Sequence, residues 1–260
     1  MKRLDVKNPF GAPVWYKEIT GSTMDDARSL CDAGSPHGTV IVAGSQTQGV
    51  GRSGRVWVSP KGNLTFTVLL RYPQKTIPAA PALRAGLAAA RALESCFPVL
   101  RCAIKWPNDI LLRHNDRWRK VSGILAAASG GAVFIGIGVN LGADEFSPEL
   151  RDKAVSIIPL LAAGGVQYSS RERVTLLEKI LFYLRETLEG ESWQSAIEAR
   201  LYKKGEAVRF IAGAPPEYGF SDNAPARIFG TLSGIAKDGS LLLAVDGKIT
   251  AFACGELDVY

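Results

Sequence analysis

The chain has little with which to hold a metal or to form a covalent intermediate. Its 260 residues contain only two histidines, His37 and His114, far apart and without cysteine neighbours, so a zinc site is not expected. The four cysteines, Cys31, Cys96, Cys102 and Cys254, lack CxxC spacing and the density of a disulfide-stapled domain. They are read as reduced. No G-x-S-x-G nucleophile elbow occurs, and no Gly-Lys-Ser/Thr follows a glycine-rich loop, which excludes a Walker phosphate site. Crossing a bilayer takes about 20 apolar residues. The best candidate, Ile124 to Leu141, is broken by Ser129, Gly130, Gly131, Gly136 and Gly138. The start, MKRLDVKNPFGAPVW, is basic but lacks the apolar stretch of a signal peptide. Repeats, low-complexity tracts and heptads are also missing. A soluble cytoplasmic protein is the expectation.

What is present is an ordinary globular composition, 47% apolar and 22% charged, with a net charge of +6 and a pI near 9.2. The charges are mixed along the chain rather than blocked. That suits an anionic ligand or an acidic partner protein and does not require nucleic acid.

The most distinctive stretch is GSQTQGVGRSGRVWVSP, Gly44 to Pro60, set between two strand patterns, Thr39–Gly44 and Leu64–Leu70. Gly49, Gly51 and Gly54 alternate with Arg52 and Arg55, and Trp57 closes the run. Glycines let the backbone approach a ligand closely, and arginines offer planar charged forks for phosphate or carboxylate. The stretch reads as a loop that folds over an anion; a merely solvated connection is the competing reading.

Around this loop the chain alternates strands and helices. Met1 to Lys17 reads as an extended lead-in. Thr23 followed by Asp26 has capping-box spacing, with Ala27, Leu30 and Cys31 as the apolar stripe of a helix that Gly34 stops. Leu83, Leu87, Ala90, Leu93 and Phe97 mark a core helix from Pro81 to Phe97. The strand CAIK then runs into Trp106-Pro107-Asn108-Asp109 and a strand from Ile110. Pro107 restrains this corner and can aim Lys105 and Asn108 reproducibly, although a plain turn with a solvated lysine is the alternative. Lys120–Ser129 and Ala132–Gly138 read as a hairpin about Gly130-Gly131, with Asn140 at its end; their apolar character implies cover by helices. Val174, Leu177, Leu181, Leu184 and Leu188 give one face of a helix from Arg171 to Leu188, and Trp193, Ile197 and Leu201 a shorter one. From Glu206 onward, short strands separated by Lys237-Asp238-Gly239 and Asp246-Gly247 suggest a small barrel, with a long loop from Gly213 to Pro225. A boundary near Lys204 divides residues 1–204 from 205–260.

In this order the strings GSTMDDAR, QTQGVGRSGRVWVSPKGNL, KWPNDILL, KVSGIL, GIGVNLG and the late GEL (Gly255–Leu257) resemble the biotin protein ligases. The resemblance implies an α+β fold: a mixed β-sheet flanked by helices, like the class II aminoacyl-tRNA synthetase/biotin synthetase catalytic domain, followed by a small SH3-like β-barrel. It implies activation of biotin with MgATP to biotinyl-5′-AMP, then transfer to a lysine of a biotin carboxyl carrier domain. Magnesium would arrive with ATP, with no protein metal ligand expected. Lys105, Arg52 and Arg55 are the implied catalytic cations. Ser22, Thr23, Gln46, Gly49 and Gly51, with Arg52 and Lys105, are the implied biotin-binding residues. Trp57, Asn108, Lys120 and Asn140, with Arg52, Arg55 and Lys105, would hold ATP and the adenylate, Asn140 by reading adenine.

Larger family members carry an N-terminal helix-turn-helix; this chain is expected to be the short type that does not bind DNA. Dimerisation through the sheet, common in the family, is a further expectation. Val50, Met24 and Ala127 depart from the family pattern, at positions where an arginine, a polar residue and an acid are common. A lipoate ligase, and a non-catalytic biotin-sensing or nucleic-acid-binding module, are the rival functions.

Overall fold

A computed structural model describes residues 1–72, 76–142, 146–165, 168–213 and 227–258. Its strands are β1 (Lys2–Leu4), β2 (Val14–Thr20), β3 (Thr39–Gln46), β4 (Leu64–Arg71), β5 (Cys102–Lys105), β6 (Asp109–His114), β7 (Arg117–Ser129) and β8 (Ala132–Val139). They form one sheet in the order β1-β2-β3-β4-β8-β7-β6-β5. The β2–β3 pair is parallel and the other pairs are antiparallel. The helices are α1 (Thr23–Asp32), α2 (Pro81–Cys96), α3 (Ile157–Ala163), α4 (Ser170–Glu189) and α5 (Trp193–Glu198). A second, five-stranded antiparallel sheet follows, from β9 (Ala207–Ala212), β10 (Arg227–Ile235), β11 (Leu241–Val245), β12 (Lys248–Phe252) and β13 (Gly255–Asp258). Its order is β12-β11-β10-β9-β13.

The period of two in the strands decides which helix covers which face. Val40, Val42, Phe66, Val68, Val133 and Ile135 join the core with α2 and α4. The intervening Ile41, Leu69 and Phe134 join Met24 and Ala27 of α1 instead. Helix α2 tolerates near-complete burial because alanines at 85, 88, 89 and 92 let it sit close to the sheet and to α4. Truncating a side chain such as Leu87 to alanine here costs about 2–5 kcal/mol. Arg84, 8% exposed, donates to the carbonyls of Ala79, Thr187 and Gly190. It thereby places a cation on carbonyls that the end of α4 leaves without helical partners.

Several elements depart from the sequence reading. The lead-in contains strand β1 and the start of β2. Ser22, not Thr23, caps α1, its Oγ accepting from Met24 N. Asp26 closes no capping box; its carboxylate takes Lys17 and the Thr20 hydroxyl. In α4, Val174 is 42% exposed, and Leu176 and Ile180 are buried beside Leu177, Leu181 and Leu184. Helix α5 ends before Leu201, which is buried and bridges Ile104. Helix α3 had no counterpart in the sequence reading. The loop read over Gly213–Pro225 lies, beyond Gly213, outside the described residues.

Candidate active site

The Gly/Arg stretch is a folded flap. Val50 and Val56 form an antiparallel bridge, Gly51 N donates to Arg55 O at 2.7 Å, and Trp57 N donates to Gly49 O at 2.9 Å. The turn passes through positive φ at Ser53 (54°) and Gly54 (71°), where glycine is the residue that bends without strain. At Gly49 a Cβ would lie 2.4 Å from Trp57 O and 2.8 Å from Gln46 Nε2. Its role is thus to let the flap's stem close.

The flap covers a cavity of about 560 Å³, within the size range of ligand pockets. Thr23, Gln46, Gly51, Arg52, Arg55, Trp57, Lys105, Asn108, Lys120 and Asn140 all line it. Ser22 and Gly49 are not among the lining residues; Ser22 is buried beneath, as the cap of α1.

At one end, Gln46 Oε1 accepts from both Thr23 N (2.8 Å) and Thr23 Oγ1 (2.9 Å). Thr67 Oγ1 in turn donates to Thr23 Oγ1 at 2.9 Å. These bonds fix the amide orientation, so Gln46 Nε2 is the donor turned away from Thr23. Met24, buried, stands beside Gly136, where an added Cβ would come within 3.0 Å of its sulfur.

In the middle, glycines make the floor. A Cβ on Gly138 would lie 2.3 Å from the Trp57 ring, and one on Gly123 would lie 3.0 Å from it. The Trp57 indole therefore lies directly on the sheet. Lys120 Nζ is 5.4 Å from its ring centroid, a cation–π distance, and pairs with Asp109 Oδ1 at 2.6 Å.

Lys105 ends β5 and is 2% exposed. Burial pulls its pKa below the ordinary lysine value, opposed by the charges of Asp109 and Glu256. The corner after it is rigid. Trp106 is buried, donates Nε1 to Gly239 O at 3.0 Å and packs on Phe210 of the second sheet. The Trp106–Pro107 peptide is cis. Asn108 exchanges bonds with the backbone of Ile124, and its Oδ1 accepts from Arg52 Nη1 at 3.3 Å.

The second sheet completes the wall. Arg52 Nη2 donates to Gly255 O at 3.3 Å, and Arg55 makes a two-pronged bond to the Glu256 carboxylate. Burial lowers the pKa of Arg52, opposed by Glu256 and Asp109. The Arg55 bond holds the Glu256 carboxyl below its usual range, against a smaller opposing effect of burial. At the far end, Asn140 Nδ2 donates to Lys120 O at 3.4 Å. Phe146, Leu150 and Ala154 lie beyond.

Sequence reasoning did not single out Asp109, Asn63, Thr67 or Phe146. Asp109 lies inside the KWPNDILL string, where only the alternative reading, a plain turn, gives it a part. The others show themselves only through cross-chain contacts. Of the departures, Val50 is half exposed at the cavity rim, and Ala127 packs with the α1-side core, not in the lining.

The chain whose mixed sheet carries this buried lysine and clasped arginine flap matches, over residues 18–144, the model of the Biotin/lipoate A/B protein ligase family. The chain is 32% identical over 235 residues to a biotin--[acetyl-CoA-carboxylase] ligase of Paracoccus denitrificans, covering 86% of this chain and 91% of that one; it belongs to this family. The bifunctional ligase/repressor BirA of Bacillus spizizenii is 36% identical over 162 residues. That match spans 56% of this chain but only 46% of the relative, and the Bacillus subtilis BirA match likewise spans 46% of its relative. Among solved structures, the biotin protein ligase from Aquifex aeolicus in complex with biotin and ATP superposes with a TM-score of 0.74 at 27% identity, covering 94% of this chain and 97% of that one.

Proposed function

We propose that this chain is a biotin protein ligase: it activates biotin with MgATP to biotinyl-5′-AMP and passes the biotinyl group to a lysine of a carboxyl carrier domain. The observation that carries the reading is the meeting of Lys105 and Arg52 in one cavity whose two ends hold Thr23/Gln46 and Asn140. In the first step a biotin carboxylate oxygen attacks the α-phosphorus and pyrophosphate leaves. Two anions must approach, so preorganised cations lower the barrier. Lys105 is fixed between the two ends, and Arg52 and Arg55 reach in from the flap. Gln46 Nε2 offers a donor to the ureido carbonyl, and Thr23 helps hold that amide in place. Trp57 supplies an apolar wall.

In the second step the carrier lysine nitrogen attacks the acyl carbon and AMP leaves. That amine must first lose a proton. Two carboxylates at the cavity can receive it, Asp109 paired with Lys120 and Glu256 paired with Arg55.

The same reading assigns residues 1–204 to catalysis and 205–260 to an SH3-like barrel. Support comes from the antiparallel order β12-β11-β10-β9-β13 and the bulge between Leu232 and Gly234. It also takes the protein to act in the cytoplasm without binding DNA. Among the described residues no helix is long and apolar enough to cross a membrane. Titration calorimetry with biotin and with lipoate tests the choice of acid: tight binding of biotin alone is expected, and preference for lipoate would reverse the assignment.

A further inference from the structure

Asn63 precedes β4 and is 2% exposed, yet it lines the cavity. Its Oδ1 accepts from Leu141 N at 3.1 Å and from Gly142 N at 3.3 Å. Those bonds settle which end of the amide is oxygen, because two backbone donors cannot face an NH₂ group. Asn63 Nδ2 is then a buried donor, and it has no hydrogen-bond partner among the described residues. Leaving such a group unpaired is costly, and buried polar groups in folded proteins are nearly always satisfied.

The neighbouring asparagine is complementary. Asn140 immediately precedes Leu141, which Asn63 holds, and its Nδ2 is turned to Lys120 O. Its Oδ1 is therefore the acceptor left to face a ligand. Phe146 and Leu150 add apolar surface to the lining of the same cavity.

We infer that Asn63 Nδ2 and Asn140 Oδ1 together form a base-reading pair: a donor for a ring nitrogen of adenine beside an acceptor for its 6-amino group. Adenine presents an amino donor next to an acceptor nitrogen, N7 on one edge and N1 on the other. Guanine carries an oxygen at position 6, which would face the Asn140 oxygen. The pair accepts ATP and rejects GTP through unpaired buried groups, the strongest kind of discrimination a site offers. This inference rests on the ligase reading and adds Asn63 as its base-selecting residue.

The test is biotin-dependent ATP–pyrophosphate exchange with ATP, 1-deaza-ATP, 7-deaza-ATP and GTP, with calorimetric binding of biotin measured alongside. In the wild-type protein, KM for one of the two deaza analogues is expected to rise about tenfold over ATP, the effect of stranding one buried donor. Both analogues behaving as ATP does would overturn the inference, whatever any variant does. Asn63→Asp keeps an acceptor for Leu141 N and Gly142 N but replaces the donor by an oxygen. In this variant the preference for ATP over the deaza analogue is expected to collapse to unity or reverse while biotin affinity is retained, with some loss of Tm because a carboxylate is buried. An unchanged preference would show that Asn63 does not face the base. Biotin binding with no use of any nucleotide by the wild-type protein would overturn the ligase reading and this inference together.

Discussion

Arg55 and Glu256, 201 residues apart in sequence, join the flap of the first sheet to strand β13 of the second. With Arg52 bound to the Gly255 carbonyl, the flap is clasped over the cavity by two consecutive residues of one strand. Such a clasp shields the cavity from water and leaves the cations in place before substrate charge arrives.

The Arg55 side chain is 66% exposed and that of Glu256 is 34% exposed, so the pair adds at most about 1 kcal/mol. Its larger effect is on flap opening. Glu256→Gln is expected to raise the rate of tryptic cleavage at Arg52 and Arg55 several-fold in the ligand-free protein, with little change in Tm. Because Arg55 lowers the Glu256 pKa, the clasp's contribution is complete above about pH 4.3, the ordinary glutamate value. It is lost as pH falls through the lowered native value. Limited proteolysis with an acid-tolerant protease should therefore find the flap still protected at about pH 5.

On the proposed reading Lys105 is the buried cation between the two reacting anions, and its removal tests that role. Lys105→Ala is expected to slow biotin-dependent pyrophosphate release about 10²–10³-fold, or about 3–4 kcal/mol of barrier. Burial lowers the Lys105 pKa, so the charge needed for catalysis is lost as pH rises through a value below the ordinary lysine pKa of about 10.4. The alkaline limb of kcat/KM, which reports the free enzyme, should fall early in the wild type and lose that component in the variant.

A methyl group at Gly138 would collide with the Trp57 ring. Gly138→Ala is expected to lift the indole off the floor, shift tryptophan emission to the red and raise KM for ATP. Overpacking of this kind costs about 1–3 kcal/mol, here expressed in the flap because the flap moves more readily than the sheet.

Val50 stands at the rim where an arginine would add a third flap cation. The chain is expected to release biotinyl-5′-AMP more readily than members that carry it. Val50→Arg should slow that release about tenfold, as one added charge-assisted contact implies; a rapid-dilution assay of adenylate loss reads it directly.

Much of this architecture was legible in the chain because it rests on local pattern. Strands β3 and β4 and helix α2 show unbroken apolar periodicity, and the hairpin β7–β8 turns at Gly130-Gly131 as its sequence implies. β1 and β2 were hidden because their residues are half exposed and their partners are non-local, β2 pairing in parallel with β3. Helix α3 is short and contains Pro159, so its seven residues carry no clear period. The cap of α1 moved by one residue because Thr23 is used by Gln46 and Thr67 instead. In the site, the motif residues were readable as types suited to anions. The Arg55–Glu256 clasp and the Asn63 Nδ2, without a partner among the described residues, were not, since both depend on contacts that sequence spacing does not encode.

The most direct test is incubation of the purified protein with biotin, MgATP and an apo carrier domain, followed by intact-mass measurement of the carrier. The expected result is a gain of one biotinyl group at a single lysine, dependent on ATP and abolished by Lys105→Ala. An unmodified carrier, or equal modification by the Lys105→Ala variant, would contradict the claim that the clasped cavity joins biotin to AMP.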